Sequence, residues 1–258
     1  MCQRMKGDKA TMTYENELIR GDDELLALLQ RADPGDIHVL VDFLTDKGKG
    51  RLALSANVRN ALESAKQAQH YTRDELILLI RELQLFGGNT LANLVRRKGV
   101  LYPEIVRDVL RHAGGTPADD DIAALELQVL EQLVSKRWAA MSEKERAEFV
   151  ATYCGSDDSS KRGLDTVLAN MRLNAENAAR LATAAAAAIG SLFAEGAFAA
   201  GATTLLGRAA GIALGPIGIG LGGTAGVYAA TKEAYRVTLP CVVQIAYIRQ
   251  KDAARYTT

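Results

Sequence analysis

Cysteine, aromatic residues and net charge are all scarce in this 258-residue chain. Its three cysteines, Cys2, Cys154 and Cys241, are an odd number with no short spacing. That excludes a disulfide framework or a zinc knuckle and suits a reducing compartment. Aromatic residues make up 5% of the chain, and 31 basic side chains balance 31 acidic ones. Formal neutrality excludes a nucleic-acid partner held by global basicity. A charged fraction of 24% excludes wholesale disorder. The first residues carry charge from Arg4 onward and no apolar core, so no secretory signal is expected, and Met12 is an alternative start.

Catalytic signatures are missing too. His38, His70 and His112 stand far apart, in no metal-ligand spacing. The acids Asp119, Asp120 and Asp121 read as a helix start rather than a cation site. The glycine-rich LGGTAG (221–226) lacks the Lys-Ser/Thr of a phosphate loop and follows no strand pattern. No nucleophile elbow, zincin motif or Cys-His arrangement occurs. The expectation is therefore a non-enzyme, with no catalytic residue, no metal, no cofactor and no small-molecule ligand.

What is present is helical punctuation. No window sustains two-residue alternation between hairpin turns, so the chain reads as all-α. Acids at Asp22, Asp23 and Glu24 open one helix, and Pro34-Gly35 precedes another with an apolar stripe of Ile37, Leu40, Val41 and Leu44. A polar KGKGR loop follows. Thr72 with Glu75, and Ser142 with Glu145, are spaced as capping boxes. Gly87-Gly88 reads as a left-handed helix stop, and Asn89 as the cap of the next helix. Pro103 suits the first position of a helix that ends at Gly114-Gly115.

These signals give a flexible N-terminus over 1–20, a bundle of short helices over 21–154, a polar linker over 155–163 and a different region over 164–258. From Leu181 to Thr231, 51 residues carry only two charges, Glu195 and Arg208. Residues 181–258 hold six basic and three acidic groups, against 25 and 28 in residues 1–180.

Within that region Gly207, Gly211 and Gly215 recur every four residues, as do Gly218, Gly222 and Gly226. On a helix each triplet makes a groove in which another backbone can approach closely. Pro216 separates the triplets, so the expectation is a helical hairpin hinged at Gly215-Pro216. Seven glycines lie in the 23 residues 209–231. At roughly 1 kcal/mol each relative to Ala, an isolated helix would lose about 7 kcal/mol. Close packing or a bilayer must offset that. Basic residues bracket the segment: Lys161, Arg162, Arg172 and Arg180 before it, Lys232, Arg236, Arg249 and Lys251 after it.

Two stretches carry a family likeness. ELQLFGGNTLANLVRRKGVLY (82–102) and AYRVTLPCVVQIAYIR (234–249), with GPIG (215–218) between them, resemble the YaaW-like family of bacterial proteins. DELLALLQRADPGDIHVLVDFLTDKGKGR resembles its N-terminal module. The resemblance spans roughly residues 20–250 and implies a remote relation to ubiquinol–cytochrome c chaperones, with no catalytic residues to carry over. The matching residues mark a candidate motif surface: Glu82, Gln84, Gly87, Gly88, Asn89 and Asn93, then Tyr235, Arg236, Thr238, Pro240 and Gln244. Pro240 suits the first turn of a last helix, although VTLPCVV is also strand-compatible.

The leading expectation is a cytoplasmic chaperone-like or adaptor protein, peripheral on the inner face of the membrane. Its partner would be a protein client or partner helix, taken up by the six-glycine groove, with membrane contact as an accompaniment. The rivals are a hairpin that itself inserts into and perturbs the bilayer, and an enzyme with a site near Glu82.

Overall fold

Several helices of this chain begin where a side chain holds an amide group that no preceding turn can reach, as Ser55 does for Val58 and Asp121 for Ala124. The computed structural model describes residues 19, 21–47, 55–87, 99–118, 121–154, 163–192 and 233–256. Among the described residues there are ten helices and no strand, as expected of an all-α chain. They are α1 (Asp23–Arg31), α2 (Pro34–Thr45), α3 (Ala56–Gln67), α4 (Arg73–Gly87) and α5 (Tyr102–His112). Then come α6 (Ile122–Ala140), α7 (Glu143–Cys154), α8 (Leu164–Met171), α9 (Ala175–Leu192) and α10 (Glu233–Arg255).

The local signals operate as spaced. The Glu75 carboxylate accepts from the Thr72 amide at 2.6 Å. Glu145 accepts from the Ser142 amide at 2.7 Å, while Ser142 Oγ accepts from the Glu145 amide at 3.4 Å. The Ser142 amide and hydroxyl, both donating to it, hold the exposed Glu145 carboxyl below its usual pKa. Asp121 caps α6 by accepting from the Ala124 amide at 3.1 Å. At the end of α5, the Gly115 amide reaches Leu110 O and the Gly114 amide reaches Arg111 O, both at 2.9 Å. This is a Schellman stop, with Gly114 at φ +86°.

Two boundaries differ by a residue or two from the sequence reading. Pro34 and Gly35 open α2 rather than precede it, because proline is pre-organised for a first helical position. Pro103 is the second residue of α5, whose first is Tyr102. The reading of Pro240 needs a larger correction. It lies inside α10, seven residues beyond Glu233, and the strand-compatible VTLPCVV is helical. Residues Val237 to Ala246 are all buried, so this stretch of α10 is enclosed on every side, and that burial overrides the β preference of its branched residues.

The chain divides into two compact units, Met1–Ile105 with Ala234–Cys241, and Val106–Glu233 with Val242–Thr258. In the first, α1 packs on α4, while α2, α3 and α4 pack on one another. Leu29, Leu40, Val41, Leu44, Leu62, Leu79 and Ile80 are fully enclosed there. In the second, α6 packs along α9, α8 packs against both of them, and α7 packs against α8 and α9. The α6–α7 corner is fixed by Arg146, whose Nε donates to Trp138 O at 3.1 Å with the guanidinium 5.6 Å from the indole centroid.

The expected linker at 155–163 lies outside the described residues except for Gly163, which precedes α8. The expected flexible start at 1–20 is described only at Ile19, which is fully buried.

Candidate functional site

Gln84 organises the motif at the end of α4. Its side-chain amide donates to Ile19 O and, at 2.7 Å, to Asp22 Oδ2. The same carboxylate oxygen accepts from the Tyr102 amide at 2.9 Å, satisfying the first free donor of α5. Gln84 O in turn accepts from the Val100 amide at 3.1 Å. One buried glutamine and one buried aspartate thus bind the end of α4 to the start of α5. Burial makes these bonds costly to leave unmade.

Glycine is required here for room. A Cβ on Gly87 would lie 2.5 Å from Ile105 Cγ1 and 2.8 Å from Val100 Cγ2. On Gly99 it would lie 2.9 Å from the backbone carbon of Gln84. Gly87 is the last helical residue, its φ is not positive, and its lack of a side chain serves a close packing contact, while the other half of the expected Gly87-Gly88 stop lies outside the described residues. Gly88, Asn89 and Asn93 lie outside the described residues.

Glu82 is buried on the same helix, and desolvation pushes its carboxyl pKa up, opposed by the neighbouring Arg81. His38 is buried beside Tyr71, with ring centroids 5.7 Å apart. His70 is exposed, and His112 ends α5 with Nδ1 2.9 Å from Asp108 O. Among the described residues no group of three or more His, Cys, Asp or Glu side chains is arranged to hold a metal ion.

The second motif is mostly interior. Thr238, Pro240 and Gln244 are buried in α10, Tyr235 is half-buried and Arg236 is exposed. These residues fill space in the helix on which the glycine-rich region ends, and only Arg236 stands fully at a surface.

The polar anchors on α6 have no local signature in the sequence. Arg249 of α10 grips Glu126 with two bonds, Nε to Oε2 at 2.7 Å and Nη2 to Oε1 at 3.1 Å. Glu126 is fully buried. Arg172, between α8 and α9, grips Glu131 in the same two-bond manner. The Glu131 pair raises the pKa of Arg172 further. The corner from Arg172 into α9 is itself tied, because Asn177 Nδ2 donates to Asn170 O at 3.0 Å and the Asn177 amide donates to Asn174 Oδ1 at 2.9 Å. Beyond that corner α9 buries a face of small residues, Ala178, Ala182, Ala184, Ala185 and Ala188, punctuated by Leu181 and Ile189.

Arg180 bonds Glu176 at 2.8 Å on the exposed side of α9, and Lys251 lies 5.8 Å from the Tyr247 ring centroid. Four of the basic residues that bracket the glycine-rich segment are thus engaged within the chain. Gly207, Gly211, Gly215, Gly218, Gly222 and Gly226 lie outside the described residues, as does the expected hairpin. No helix among the described residues is long and apolar enough to cross a membrane.

Comparison with known proteins gives one consistent likeness. The chain is 31% identical over 243 residues to the UPF0174 protein YaaW of Escherichia coli K12, covering 90% of this chain and 96% of the relative. The YaaW of Escherichia coli O157:H7 matches to the same extent. A UPF0174 protein of Helicobacter pylori is 22% identical over 233 residues, covering 89% of this chain and 92% of its own. No family model matches the chain, and no solved structure matches it.

Proposed function

The chain belongs to the UPF0174 family, the family of YaaW, and we propose that it serves as a non-enzymatic chaperone-like or adaptor protein for a membrane-protein client. In this reading it works at the inner face of the membrane and takes a client helix into the G-x-x-x-G grooves of Gly207–Gly215 and Gly218–Gly226. Small residues at that spacing let two helix backbones approach closely without a large apolar patch.

The observation that carries the reading is the fate of the flanking cations. A bilayer-inserting hairpin would use its basic bracket on phosphate head groups. Here Arg172 and Arg249 are bound in two-bond pairs to Glu131 and Glu126. The engagement of these two arginines within the fold supports a protein partner over lipid head groups. The alanine face of α9 fits the same chemistry, since the helix leading into the segment buries a row of small residues.

The test is co-purification from native membranes after brief crosslinking, using the full chain. Wild type and Ala213→Leu should retain one defined partner, while Gly211→Leu and Gly218→Leu lose it because a groove position cannot take the larger side chain. Equal partner recovery by all four proteins would overturn the groove, and recovery of lipid alone would overturn the client.

A further inference from the structure

We draw no further inference here: the strongest candidate, the buried Tyr71 hydroxyl set among Asp42, Glu63 and Glu75 where α2, α3 and α4 meet, carries nothing, because Lys66, Thr45 and Thr72 of the same chain already bond those three carboxylates.

Discussion

Arg249 and Glu126 are 123 residues apart in the chain and joined by two parallel hydrogen bonds, one of the pair's partners being fully buried. Such a pair adds little stability over a well-packed apolar replacement, but breaking it from one side is costly. Arg249→Met should therefore destabilise the protein by about 3–5 kcal/mol, because it strips a buried carboxylate of its two-bond partner. Glu126→Met with Arg249→Met should lose much less. Urea unfolding of the two single variants and the double gives the coupling directly, and additive losses would show that the pair does not act as a unit.

Gly87 separates packing from backbone conformation. Its φ is not in the left-handed region, so helix propensity alone would favour Ala there by about 1 kcal/mol. The 2.5 Å approach to Ile105 Cγ1 predicts the opposite sign. Gly87→Ala should cost about 1–3 kcal/mol, and Ile105→Ala in the same chain should recover part of that loss. A raised melting temperature for Gly87→Ala alone would contradict the contact.

Glu82 sets a pH dependence whose sign is fixed by its burial. Its folded pKa is raised above the ordinary 4.5 by burial, so the folded state holds this proton more tightly than the unfolded chain does. Its contribution is complete below the unfolded pKa and is lost as pH rises through the folded one. Glu82→Gln should thus raise stability at neutral pH, and the gain should vanish below about pH 4. Unfolding curves at both pH values check this, and a gain confined to acid would reverse the assignment.

Gln69 closes α3 in a conformation that suits glycine. It sits at φ +55°, and the His70 amide reaches back to Ala65 O at 3.2 Å in a Schellman arrangement. Gln69→Gly should stabilise the protein by about 1 kcal/mol, and Gln69→Val should destabilise it. Thermal unfolding of the two variants gives the order.

What the sequence made legible was local. Thr72 with Glu75, Ser142 with Glu145, and Gly114 with Gly115 act within one turn, so residue spacing alone places them. The polar side chains that tie the helices together lay beyond that reach. Glu126 and Glu131 stand in the middle of α6, where an acid ordinarily faces water, and their arginines come from 123 and 41 residues away. Gln84 was visible as part of a motif, but its partner Asp22 reads from sequence as an N-terminal helix acid. Pro240 misled for a related reason. Proline placement rules are local, whereas burial on all sides keeps α10 helical through it.

The central claim is that the glycine-rich segment of this UPF0174 protein meets a protein helix rather than the hydrocarbon of a bilayer. Alkaline carbonate extraction of native membranes carrying the full chain tests it most directly. The adaptor account predicts that the protein is released into the supernatant, since contacts with a client's exposed surface do not survive that wash. Retention in the membrane pellet would contradict it and establish an inserted hairpin instead.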